Sequence, residues 1–330
     1  MNAPESPKAA AVSTNVRADA RLSAERANVP NRTSSVGETR GGFALGLGAY
    51  GLWGVLPIYF EALRTVDAVD IVAHRVLWSL PFLALLLALG GGQPKVRAAL
   101  RRPKTVAMLI VTAVLIGTNW LLYVNAVTSG HILAASFGYY LNPLANILLG
   151  RFVLRERLSA LQWTAVGIAA AGISVLAAGA LGQLWLSLAL CITFALYGLL
   201  RKIVPADALT GLAIETVVLF PLAIAWIGWM ALASQPVFGN STRDTGLLLL
   251  AGIVSTTPLL LFTAAAKRLP YSTLGMLQFV APTLQFLIAV ALYKEPVTTA
   301  HIIAFPAIWT ALVLYAIAML RSPKLPQAPE

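Results

Sequence analysis

The sequence predicts an all-α integral membrane protein of ten transmembrane helices arranged as two inverted five-helix repeats, and three observations predict it. Of 330 residues, 58% are hydrophobic and 11% charged, with mean hydropathy +0.78. The charged share is under half that of an ordinary soluble domain. From Gly42 onward, ten apolar stretches follow one another, each near the ~20 residues that cross ~30 Å of hydrocarbon as a helix. The stretch from Asn119 to Glu156 then returns in diluted form from Pro258 to Glu295. A shift of 139 lays Pro143 on Pro282, Ala126 on Ala265 and Glu156 on Glu295, and lays the polar Tyr139 and Asn146 on Gln278 and Gln285. One register aligning a kink, a polar stripe and a terminal carboxylate is the mark of a duplicated unit.

Residues 1–41 are rich in Ala, Ser, Asn and Arg, with no aromatic before Phe43 and no apolar run. Such a segment cannot bury enough surface to fold alone, so a disordered cytoplasmic tail is expected. It lacks the apolar core and cleavage site of a signal peptide, and Glu5, Asp19, Glu25 and Glu38 count against a transit peptide. The spans then read 42–60, 70–89, 105–126, 132–150, 159–178, 184–200, 208–232, 246–266, 272–293 and 299–320. Helices are required because lipid offers the backbone no partners, and the spans are too long and uniformly apolar for barrel strands. Residues 42–178 form the first repeat, 179–320 the second, and 321–330 a second cytoplasmic tail.

Orientation follows from the basic residues of the short loops. Lys95, Arg97, Arg101, Arg102, Lys104, Arg151, Arg155, Arg157, Arg201, Lys202, Lys267, Arg268, Arg321 and Lys324 fall on one side, against Arg64, Arg243 and Lys294 on the other. Both termini are therefore expected in the cytoplasm. Shifts of 140 and 144 place Pro81 on Pro221 and the pair Trp53 and Gly54 on Tyr197 and Gly198, so spans one to five correspond to spans six to ten. Five is odd, so the second half enters the membrane upside down, the architecture of alternating access about a central site.

Several spans carry polar groups that lipid does not tolerate. Tyr139, Asn142 and Asn146 share one face of span four beside Pro143, and Gln278 and Gln285 take the equivalent face of span nine beside Pro282. Asn119 and Tyr123 form a face on span three, and Tyr50, Trp53 and Pro57 on span one. Such faces turn toward other helices or a wet cavity, and interhelical bonding and a substrate path both stand as readings. Arg75 and Glu215, symmetry mates of opposite sign, are separated in depth by on the order of 14 Å, which argues against direct pairing. Each is expected near its own mouth of the cavity, with Asp70 or His74 beside Arg75, snorkelling to the interface being an equal reading for Arg75, and Glu215 is the candidate for proton coupling. Glu156 and Glu295 read as ion pairs or helix starts among basic neighbours.

The net charge of +11 lies in short clusters between spans, not on one soluble face, so membrane topology and not nucleic acid accounts for it. One cysteine, Cys191, excludes an intrachain disulfide and any cysteine-based metal site, and no cofactor is expected. There is no Walker-type loop for ATP, no G-x-S-x-G elbow, no H-E-x-x-H helix and no repeated filter loop. The expected function is secondary active transport of a small molecule driven by an ion gradient. An intramembrane enzyme acting on a lipid or lipid-linked substrate is the alternative. Membrane lipids and the cargo are the expected partners, and oligomeric state is not legible.

The runs AHRVLWS, NWLLYVNAV, ASFGYYLNPL, LLRKI, TGLAIET, KRLPYSTLGMLQFVAPTLQFL and IWTALVLYA resemble the RarD family of bacterial permeases, within the EamA branch of the drug/metabolite transporter superfamily. The likeness covers roughly residues 42–320, and the long N-terminal tail departs from the family pattern. It implies ten helices in inverted five-helix halves and a multi-pass place in the bacterial inner membrane. It also implies transport across that membrane by proteins often described as chloramphenicol-sensitivity or resistance permeases, so the expected activity is export of a small metabolite or drug, such as a chloramphenicol-like compound. It supplies no catalytic residues, so the site residues above rest on their chemistry alone.

Overall fold

The computed structural model describes residues 32–128, 132–177, 184–233, 236–294 and 297–321, and every regular element among them is a helix. In chain order these are α1 (Arg32–Ala62), α2 (Ala68–Leu89), α3 (Gln93–Leu100), α4 (Pro103–Thr128), α5 (Ile132–Phe152) and α6 (Ala160–Ala177). There follow α7 (Leu184–Ile203), α8 (Ala208–Leu232), α9 (Thr242–Arg268), α10 (Tyr271–Gln278), α11 (Val280–Ala291) and α12 (Thr299–Arg321). Among the described residues, eight stretches, the run Tyr271–Ala291 counted as one, are long and apolar enough to cross a bilayer, and Ala160–Leu176 is a shorter apolar helix.

Three boundaries depart from expectation. Helix α1 begins at Arg32, so Arg32–Gly41, expected to belong to the disordered tail, are helical. A span that is already helical extends at one hydrogen bond per added residue, and no proline stands in the way. The basic loop after α2 contains the short helix α3, started by Pro94, which gives up no bond there. Span nine is interrupted at Phe279, because Pro282 has no amide for the Gln278 carbonyl and its ring crowds that oxygen. Pro143, by contrast, lies inside a continuous helix.

Contacts sort the connections into the two expected ends. At the basic end, Lys95 pairs with Asp207 at 3.5 Å, and Lys202 Nζ donates to the carbonyls of Ala266 and Leu269. Burial pushes the Asp207 carboxyl up, but its bonds with Thr210 and Lys95 outweigh this and leave it below the ordinary aspartate value. At the opposite end, Tyr59 donates to the Leu247 carbonyl at 2.9 Å and the Trp226 indole to Asp70 at 2.8 Å.

Glu156 belongs to the basic end in an unexpected role. It forms no ion pair among the described residues: its carboxylate accepts from the Tyr271 amide at 2.5 Å, the Ser272 amide at 2.9 Å and the Ser272 hydroxyl at 2.6 Å. It thus caps the start of α10 from 115 residues away, supplying negative charge where the helix dipole is positive. Glu156→Ala is expected to cost about 1–2 kcal/mol, read as a lowered unfolding temperature in detergent. Glu295 lies outside the described residues.

Helix pairing relies on small residues, as expected where lipid supplies no hydrophobic drive between helices. Helices α6 and α12 pack along Ala165, Ala169, Ala304 and Ala311, all fully buried. A Cβ at Gly172 would stand 3.0 Å from the Ala307 Cβ. A Cβ at Gly46 would stand 3.1 Å from Leu277, whereas nothing lies within 4 Å of one at Gly167. Helix α2 packs on α8, and α5 on α10. An aromatic cluster of Tyr50, Trp53, Phe194, Tyr197 and Phe262 knits α1, α7 and α9 together.

Candidate functional site

The polar residues of the interior form three groups, which the order of residues along α5 and α8 spaces from the opposite end toward the basic end. The first surrounds Arg75 of α2. Its guanidinium carbon lies 3.9 Å from the centre of the Trp120 ring of α4, and the phenols of Tyr139, Tyr59 and Tyr123 are close enough to interact with its charge. Asp70 and His74, expected beside it, are engaged elsewhere: Asp70 accepts from Trp226, and the His74 ring stacks on Phe238 at 5.3 Å. The Tyr123 and Tyr139 rings lie 5.7 Å apart. Tyr139 donates to Asn119 Oδ1 at 3.2 Å, and Asn119 Nδ2 donates to the Leu190 carbonyl and the Thr193 hydroxyl, both at 2.9 Å.

The second group marks the crossing of α5 and α10, where the expected stripes of the two halves meet. Asn146 Nδ2 donates to Gln278 Oε1 at 2.8 Å. The helices approach this closely because residue 275 is glycine: a Cβ there would stand 2.8 Å from the Pro143 carbonyl oxygen and 3.0 Å from the Asn146 Cβ. Asn142 is completely buried, yet neither its Oδ1 nor its Nδ2 has a partner among the described residues, and Asn146 Oδ1 has none either. Gln285 stands apart, donating to the Trp53 carbonyl at 3.0 Å.

Of the two readings open for these faces, interhelical bonding is the one these positions display. Asn119, Asn146 and Gln278 are buried and bonded between helices, so in this conformation they act first as interhelical ties. Arg75 and Tyr123 retain exposure, and Asn142 is enclosed without a partner.

The third group corrects the reading of Glu215. It does not face an open mouth: it is 1% exposed, and its Oε1 lies 3.4 Å from Arg201 Nε, with Arg201 itself 0% exposed. Thr112 donates to the same carboxylate at 2.5 Å and Tyr197 at 3.4 Å. Arg201 Nη2 also donates to the Ala208 carbonyl at 3.0 Å. Its Nε contact is electrostatic more than a well-aligned hydrogen bond, and Nη1 has no partner among the described residues. Gly211 makes room, since a Cβ at that position would overlap the Arg201 guanidinium. Arg201 was expected to be a loop cation that sets topology, and the fold buries it.

No cluster of three or more His, Cys, Asp or Glu able to hold a metal ion occurs among the described residues. A pocket of about 340 Å³ opens at the basic end beside Gly92, Lys95, Asp207, Thr210, Lys267 and Arg268, and no expected site residue lines it.

With this geometry in hand, residues 40–178 match the model of the EamA-like transporter family. The chain is 42% identical to an uncharacterized transporter of Vibrio cholerae over 86% of this chain and 95% of that one. It is 42% identical to protein RarD of Escherichia coli over 84% and 94% respectively. It is 34% identical to the chloramphenicol-sensitive protein RarD of Pseudomonas aeruginosa over 83% and 92%. A crystal structure with a TM-score of 0.66 and 19% identity, covering 85% of this chain and 99% of its own, shares the fold.

Proposed function

The chain belongs to the EamA-like transporter family, in its RarD group, and from that membership we propose that this membrane transporter exports a small amphipathic metabolite or drug by alternating access. It is a multi-pass protein of the bacterial inner membrane. In this reading ten helices form two inverted five-helix halves with both termini in the cytoplasm. Three observed pairings support the two-fold relation. Helices α2 and α8, α5 and α10, and α6 and α12 pack together, and each pair joins a span to its expected counterpart.

One observation carries the transport reading: an apolar bundle buries Arg75 Nε, both polar atoms of Asn142 and Asn146 Oδ1 without partners among the described residues. A buried polar group left unpaired costs on the order of 1–3 kcal/mol, and a purely structural interior pairs such groups. Groups held at this cost inside a membrane mark a path for a polar cargo. Glu215 is the coupling-proton candidate: protonation would remove the charge that holds Arg201 and loosen the tie between α7 and α8. A chloramphenicol-like compound is one cargo to try, on the strength of the name of the Pseudomonas aeruginosa relative.

Proteoliposomes carrying the protein and a pH gradient test the reading. The expected result is accumulation of labelled cargo, chemically unchanged, above its outside concentration. Conversion of the compound would point to an enzyme, and mere equilibration to a channel. Asn146→Leu and Gln285→Leu are each expected to lower flux about tenfold, equivalent to ~1.4 kcal/mol, while the protein still folds. Normal flux in both would leave these amides a packing role only. Glu215→Gln is expected to abolish the dependence of flux on the proton gradient, and its persistence would remove Glu215 from that role.

A further inference from the structure

Two charges inside the spans have no ion-pair partner among the described residues: Asp70, whose carboxylate accepts from the neutral Trp226 indole, and Arg75. The ion pairs among the described residues join Arg64 to Glu61, Lys95 to Asp207 and Arg201 to Glu215. Arg75 has no carboxylate within pairing distance and no hydrogen-bond partner for its guanidinium among the described residues, and its Nε is buried. It lies seven residues into α2, ~10 Å along the axis, deeper than a headgroup contact requires. An unpaired cation at such a depth is expensive to keep, and arginine cannot lose its charge there.

Its surroundings select what can neutralise it. Trp120 lies over the guanidinium at 3.9 Å. Cation–π attraction of this kind uses the charge of the ion and not its N–H donors, which remain available to an acceptor. Those donors form the fork that matches a carboxylate with two parallel hydrogen bonds. Beside it, the Tyr123 and Tyr139 rings, 5.7 Å apart, offer aromatic surface. Tyr139 spends its proton on Asn119 and does not donate to an anion at the same time.

We propose that Arg75 is the anion-recognition point of the transport path. The cargo is a small monocarboxylate whose carboxylate is held by the guanidinium and whose aromatic or apolar body lies against Tyr123 and Tyr139. This deepens the transport reading and rests on it. The cargo supplies the negative charge that the protein withholds, as Glu215 supplies it to Arg201.

The test uses the full-length protein in phosphatidylcholine nanodiscs and three matched probes: 3-phenylpropionate, 3-phenylpropan-1-ol and 3-phenylpropylamine. Calorimetric titration is expected to find the acid at least about tenfold tighter than the alcohol, with the amine weakest. Arg75→Gln is expected to erase the preference for the acid at an unchanged unfolding temperature, and Arg75→Lys to keep part of it. Equal binding of acid and alcohol by the wild-type protein overturns the proposal with no variant needed, as does an acid preference that survives Arg75→Gln. Phosphatidylglycerol added to the nanodiscs should leave acid affinity unchanged. A marked loss would mean that a lipid headgroup occupies Arg75 and would overturn the soluble cargo. Flux separates the two readings. Vesicles that accumulate alcohol and acid alike keep the transport reading and sink this one, whereas acid binding at Arg75 without accumulation does the reverse.

Discussion

Arg201→Ala will destabilise the bundle by about 3–5 kcal/mol, because it strands the Glu215 carboxylate in an interior where neither side chain reaches water. Glu215→Ala is expected to cost about as much, by stranding the guanidinium. The pair Arg201→Met with Glu215→Leu should recover most of that loss, since two well-packed apolar side chains leave no charge to solvate. Gly211→Ala should reproduce part of the single-variant effect without touching either charge, because the added methyl takes the space of the guanidinium. The measurement is a double-mutant cycle on unfolding by SDS in mixed micelles. Losses below about 1 kcal/mol for both single variants would mean that the pair is solvated and weak.

The second large effect is expected at Gly252, where α9 crosses α2. A Cβ at that position would run into the backbone of Trp78 and Ser79, which cannot rotate away as a side chain does. Gly252→Ala must therefore push the helices apart, at a cost near the upper end of the 1–3 kcal/mol usual for overpacking. It also breaks the bond of 2.6 Å from Thr256 to Ser79, whose hydroxyl donates in turn to the Arg75 carbonyl at 2.5 Å. Transport is expected to fall further than stability, because the displaced turn carries Arg75. Flux in proteoliposomes and the unfolding temperature, measured on one preparation, separate the two effects. A Gly252→Ala protein with unchanged stability and flux would show that the crossing is looser than described.

Spans were legible because burial in lipid acts on every residue of a crossing helix, and most boundaries fall within a few residues of the apolar runs. Long-range ties were not legible, because each depends on what stands opposite. In the sequence Arg201 and Lys202 look alike at the end of one helix, yet Arg201 is fully buried and Lys202 reaches two carbonyls at the rim. A signal was present in DALTGLAIE: Asp207, Gly211 and Glu215 fall at intervals of four on one face. Two carboxylates with a gap between them on one helical face invite a cation from a neighbouring helix. Glu156 carried no such signal, since a cap on a helix that begins 115 residues later leaves no local pattern. The polar faces of α4 and α5 could be read from spacing, but spacing does not say whether each group meets a neighbouring helix or water. Only the structure distinguishes the bonded Asn119 and Asn146 from Asn142, which has no partner among the described residues.

That two halves of the bundle expose one buried polar crossing to each side of the membrane in turn is tested most directly at Asn142. Asn142→Cys, in a Cys191→Ser background, is treated with a membrane-impermeant methanethiosulfonate in right-side-out and in inside-out vesicles. Reaction in both preparations, slowed by 3-phenylpropionate, is the expected result. A folded protein that reacts in neither preparation, or from one side alone, contradicts the account.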